Sequence, residues 1–176
     1  MNTKTLGWIY LIIGVPAFLS FILSGHPQYA VWFSNHSFII LGIALLFSSR
    51  FWVMAELCLG LIPELIWNID YLAKLFTGEY IWGFTSYMFT DTGSFAWAHL
   101  YSLQHVLFIP AGLFALYLLK GSIRHSYLGS LLHGGIIWGL SFLMPGNINC
   151  VYENCLPILI PYYIAVWPTV VIACIS

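Results

Sequence analysis

The sequence predicts an all-α integral membrane bundle of about six transmembrane helices, both termini cytoplasmic, with an interfacial aromatic segment after the third helix. Three observations predict it. Of 176 residues, 61% are hydrophobic and 6% charged, whereas a water-soluble domain carries roughly a quarter charged residues. The apolar residues fall in continuous runs of about twenty, the length of a helix that crosses a hydrocarbon layer. Those runs do not alternate as a porin-like barrel requires. The length fits a single transmembrane helical domain over residues 1–176, with no separate soluble domain.

Polar punctuation places the segments near Leu6 to Ser24, Ala30 to Ser49, Phe51 to Ala73, Trp97 to Leu119, Ser126 to Met144 and Leu156 to Ile175. The first follows Lys4 in the manner of a signal peptide. Its apolar run is too long for an h-region and no A-x-A site follows, which favours a retained anchor. With the N-terminus inside, Lys4, Arg50, Lys120 and Arg124 share one side and Lys74 stands on the other. Positive-inside bias makes the first side cytoplasmic, and a prokaryotic cytoplasmic membrane is the expected location. Gly78 to Phe95, with Trp82, Tyr87 and Phe89, is too short and polar to span. It is expected to lie in the outer interface as a lid.

Net charge is −1, which gives no argument for nucleic acid or an anionic membrane surface, and no nucleic-acid partner is expected; the expected partner is membrane lipid or a lipid-like or small-molecule substrate. No nucleotide-binding or metal-spaced motif occurs, so neither a metal nor a cofactor is expected. Cys150 and Cys155 share the loop before the last segment. A disulfide between them is permitted there, as are two free thiols or a metal pair. Cys58 and Cys174 read as small core residues.

Ionisable groups at membrane depth are costly and usually face the interior with a function. From the rise per residue, Glu64 lies about 3 Å outward of the centre, His105 about 4 Å, His36 and Ser37 about 4–5 Å, and His133 about 4 Å inward. Four helices thus place polar groups in one layer. Asn68 is one turn above Glu64 and Ser102 one turn from His105. A hydroxyl nucleophile needs a base in reach, and the base an orienting partner. Catalytic roles therefore fall to Ser37 as nucleophile, His105 as base, and Glu64 and Asn68 as orienting or oxyanion groups. His36, Ser102, His133 and Trp67 are the candidate substrate-binding residues. The bland alternatives are helix–helix hydrogen bonds for the histidines and backbone bonding for Ser34, Ser37 and Ser102. Glu56 is expected to pair with Arg50 or water, and Asp70 with Lys74 across one turn. His26, His99 and His125 are expected to be solvated.

Two resemblances bear on this reading. Trp67-Asn68-Ile69-Asp70-Tyr71-Leu72, Gly83-Phe84-Thr85-Ser86-Tyr87-Met88-Phe89, His105-Val106-Leu107-Phe108-Ile109-Pro110 and Asn147-Ile148-Asn149-Cys150-Val151-Tyr152 resemble the motifs of an uncharacterised family of prokaryotic polytopic membrane proteins. That family implies no function. More distantly, His105 followed by apolar residues and Pro110 is similar to the fourth-helix histidine of the androgen-induced six-helix lipid hydrolases. These cleave fatty-acid esters of hydroxy fatty acids with an intramembrane threonine on the second helix. The threonine position falls near Ser37, where serine replaces threonine and the flanking residues depart from the pattern. The resemblance implies a six-helix architecture first, and lipid-ester hydrolysis or acyl transfer second.

Competing readings come from other patterns. Pro16-Ala17-Phe18-Leu19 pairs with Pro110-Ala111-Gly112-Leu113, His36-Ser37-Phe38 with His125-Ser126-Tyr127, and Cys58-Leu59 before Pro63 with Cys155-Leu156 before Pro161. An inverted three-helix repeat would make a small transporter, with Glu64 and His105 carrying protons. His105 and His133 are of the type that ligates a b-type haem, but no pairing motif accompanies them. A non-catalytic membrane scaffold is the remaining alternative.

Overall fold

The computed structural model describes residues 2–89, 102 and 104–153. These form five α-helices and, among the described residues, no strand: α1 (Thr3–Leu23), α2 (Phe33–Leu46), α3 (Arg50–Thr77), α4 (Gln104–Leu118) and α5 (Ser126–Ser141). The expected last segment, Cys155 and His99 lie outside the described residues, as does part of the expected fourth segment.

α1 and α3 are long and apolar enough to cross a membrane, whereas α2 and α4 are apolar but shorter. Local chemistry explains the bounds. Asn2 caps α1 by accepting from Thr5 N at 2.8 Å, satisfying one of the orphan donors of a helix start. The segment expected from Ala30 begins instead with a 3₁₀ turn, Pro27–Val31, and Trp32 sits at extended ψ 129° before α2. Pro27 fixes its own φ and has no N–H to donate, which suits a tight turn. α3 reaches one turn beyond the expected Ala73, to Thr77. Its Ser49 cap accepts from Trp52 N, and Gly78 ends it in the left-handed conformation at φ 79°, the usual helix stop. α5 ends at Ser141, a few residues short of the expected Met144.

α3 is the hub, packed against α2, α4 and α5, while α1 lies on α2. Tyr10, Phe38, Leu41, Leu45, Val53 and Phe108 form the apolar core. Around it, large apolar residues are widely exposed and several ionisable and amide side chains are buried. Ile12 is 68% exposed and Tyr117 83%, while Glu56, Glu64, Asp70, Gln104 and Asn149 are each 4% exposed or less.

Cys58 and Cys150 are both disulfide-bonded. Cys58 is therefore a cross-link position, not the plain small core residue its apolar run implies.

Candidate functional site

Two of the three buried carboxylates of α3, Glu56 and Glu64, are eight residues apart. Eight residues rise about 12 Å and turn about 80° past two full turns. Each carboxylate therefore meets a different neighbouring helix, and each meets a histidine there. His105 Nδ1 on α4 lies 2.8 Å from Glu64 Oε2. His133 Nδ1 on α5 lies 3.0 Å from both oxygens of Glu56.

Small residues one turn away set both distances. A Cβ added at Gly60, one turn before Glu64, would meet the Phe108 ring at 2.5 Å. A Cβ at Gly129, one turn before His133, would meet the Ala55 Cβ at 2.8 Å. Next to it, Ser130 Oγ donates to Ala55 O at 2.6 Å. Small-residue contacts of this kind let helix backbones approach closely. They hold each imidazole within reach of its carboxylate.

Around the first pair the polar atoms are ordered. Asn68 Nδ2 donates to Glu64 O at 2.7 Å and to His105 O at 3.0 Å. Its amide hydrogens thereby link α3 to α4 and are already engaged, so Asn68 positions the pair. The Trp67 ring stacks on the His105 ring at 4.4 Å and 20°. Trp67 Nε1 donates to the Tyr87 hydroxyl at 3.1 Å. That hydroxyl also bonds Ser102, and burial raises the phenol above its ordinary value, keeping it protonated.

Glu64 and His105 open onto a cavity of about 480 Å³ at the end of the bundle where α2 and α4 begin. This size is ordinary for a small-molecule site. Rings make most of the wall, including Phe21, Trp32, Phe33, Trp67, Phe84 and Tyr87. Ser34, Asn35, Ser102, Gln104 and Asn149 supply the polar atoms.

Of the residues singled out in the sequence, Glu64, Trp67, Ser102 and His105 come together on this cavity. Ser37 is fully buried on α2 but does not line it; Ser34, one turn earlier, does. His36 and His133 are apart from the cavity and beside each other, ring centroids 5.9 Å apart and nearly perpendicular. Glu56 pairs with His133, not with Arg50, whose Nη1 donates to Gly121 O at 3.0 Å.

Asp70 also departs from expectation. It is fully buried and makes no pair with Lys74, whose Nζ donates to Gly78 O at 2.6 Å. Its Oδ1 accepts from the backbone N–H of Ile81, Trp82 and Gly83, and Oδ2 from Thr85 N and Oγ1, all at 2.7–3.1 Å. A charged acceptor satisfying five donors is a strong anchor. It fastens the first part of the aromatic segment over the cavity, where Phe84 and Tyr87 form wall.

Three amides escaped the sequence reading. Asn149, at φ 53°, accepts from Phe33 N at 3.2 Å and so caps α2 from 116 residues away. Asn35 and Gln104 bond each other at 3.1 Å. Their signal in the sequence is an amide side chain at the polar end of an apolar run, as in Asn35, Gln104 and Asn149. No protein-family model, curated protein or solved structure matches the chain.

Proposed function

We propose that this chain is a small intramembrane enzyme that hydrolyses or transfers the acyl group of a lipid-like ester. One observation carries the reading: the 2.8 Å hydrogen bond between His105 Nδ1 and Glu64 Oε2 at the wall of an apolar cavity. A carboxylate holding Nδ1 orients the imidazole and leaves Nε2 as the base, the arrangement of nucleophilic acyl-transfer sites. The exposed apolar residues, the buried ionisable ones and the two long apolar helices support a site within a membrane, six spans being the full proposal.

Ser34 takes the nucleophile's role in preference to Ser37, since it lines the cavity. Nε2 of His105 accepts the hydroxyl proton as Ser34 Oγ bonds to the ester carbonyl carbon. The ester C–O bond then breaks, and the leaving alkoxide takes the proton back from the imidazolium. Water or an acceptor alcohol releases the acyl group by the same two proton transfers. Trp67 and Asn68 hold the imidazole in place.

The test is acyl release from a panel of long-chain esters by the protein in lipid nanodiscs. Turnover that disappears in His105→Ala and Ser34→Ala and survives in Ser37→Ala supports the reading. A wild type inactive on every ester refutes it.

A second reading, proton-coupled transport, is favoured by one specific observation. The Glu56–His133 pair lies about two turns from the first pair, with the His36 ring against it. Two imidazole–carboxylate pairs at different depths are what a proton-carrying path requires. Proton-dependent uptake into vesicles, lost in Glu56→Gln and His133→Ala, would support transport over hydrolysis.

A further inference from the structure

The unpartnered polar atoms of side chains that line the cavity share one hydrogen-bonding sense. Tyr29 O accepts from Asn35 Nδ2 at 2.9 Å, so Asn35 must present its Oδ1 to Gln104. Gln104 must then donate through Nε2, at 3.1 Å. This relay fixes both amides, and Gln104 Oε1 is left with no hydrogen-bond partner among the described residues. Glu64 Oε1 is in the same condition. Both side chains line the cavity, and both residues are at least nine-tenths buried, at 3% and 1% exposure.

The imidazole adds a third acceptor. An ionised Glu64 can only accept, so it selects the His105 tautomer with the proton on Nδ1, whose Nε2 offers a lone pair. Of the potential donors at the wall, the Asn149 amide, Tyr87 and Ser102 have protein partners, and the Ser34 hydroxyl can accept as well as donate. Asn149 Nδ2 donates to Val31 O and Ser141 Oγ, and Tyr87 and Ser102 bond each other. None of the described lining residues is Lys or Arg.

We propose that this cavity takes an apolar ligand whose polar end is a hydrogen-bond donor, a hydroxyl or amine, and that it rejects anionic ends. Buried acceptors left unmatched cost free energy, and a donor removes that cost. A carboxylate or phosphate would instead set negative charge against Glu64 with no basic residue to offset it. The ring-lined wall suits an alkyl body, and for an ammonium it also supplies cation–π attraction. The inference deepens the hydrolase reading: the ester acted on would carry a free hydroxyl or amine beside its acyl chain.

The experiment compares dodecanol, dodecylamine, methyl dodecyl ether and dodecanoate as competitors for one site on the intact protein in detergent. Binding is read by tryptophan fluorescence, with Trp67→Phe as the site control. The alcohol or the amine should bind at least about tenfold more tightly than the ether, and dodecanoate should not compete. If the amine leads, Glu64→Gln removes its advantage; if the alcohol leads, Gln104→Met does. The wild-type series stands on its own if either variant fails to fold. Ether or dodecanoate binding as tightly as both donors overturns the inference. A donor preference without ester turnover leaves this inference standing and removes the hydrolase. Turnover with equal competition by alcohol and ether does the reverse.

Discussion

Phe108 of α4 occupies the space that a side chain at Gly60 of α3 would fill, with a Cβ at residue 60 falling 2.5 Å from the ring. The contact lies one turn from Glu64 and three residues from His105, so it fixes how closely carboxylate and imidazole approach. Gly60→Val should force the helices apart and destabilise the protein by about 1–3 kcal/mol, as overpacked cores do. Adding Phe108→Leu should restore part of the loss. Thermal unfolding in detergent checks both; an unchanged melting temperature for Gly60→Val would contradict the packing.

The two histidine–carboxylate pairs should behave as coupled units. Removing one member of a buried pair strands the other and costs about 3–5 kcal/mol, whereas replacing both with apolar residues can be near neutral. Glu56→Leu and His133→Leu should therefore each destabilise strongly, and the double substitution should be more stable than either. A double-mutant cycle measures this. Additive losses would show that the groups are quieted by separate neighbours.

The aromatic segment should depend on Asp70. Asp70→Ala strands the N–H groups of Ile81, Trp82, Gly83 and Thr85, at a cost of about 3 kcal/mol or more. Asp70→Asn should also destabilise, though less, because its carbonyl oxygen still accepts on one side while its NH₂ faces donors on the other. Faster proteolysis between residues 79 and 85 in both variants checks this. Lys74→Ala should raise cleavage far less, since Lys74 bonds Gly78 O and lies over the Tyr80 ring without touching the Asp70 anchor.

Catalytic and positioning roles should separate kinetically. His105→Ala should lower turnover by about 10²–10⁴-fold, the usual worth of a general base. Asn68→Leu should lower it less, because Asn68 acts through the backbone of Glu64 and His105. In Asn68→Leu, apparent substrate affinity should be nearly unchanged while kcat falls. Parallel kcat and KM measurements on the same ester decide it.

Depth arithmetic made the Glu64–His105 pair legible, because the rise per residue is fixed and an ionisable group in an apolar run is conspicuous. The same arithmetic says nothing of azimuth. It could not distinguish Ser34 from Ser37, one turn apart, and it grouped His133 with His105 although they face different sides of α3. Glu56 and Asp70 were misread for a related reason. Local partners such as Arg50 and Lys74 are visible in sequence, whereas His133 lies 77 residues from Glu56 and the Asp70 donors sit on a returning loop. Short α2 was hidden because Ala30 to Trp32 is apolar enough to read as helix, while Pro27 imposes a 3₁₀ turn.

Selective ¹⁵N-histidine NMR of the protein in nanodiscs, wild type against Glu64→Gln, probes the imidazole at the heart of the site. His105 should carry its proton on Nδ1, with Nε2 bare, and Glu64→Gln should alter this signal while leaving the His133 signal in place. An Nε2-protonated His105, or a signal indifferent to the substitution, would contradict this arrangement.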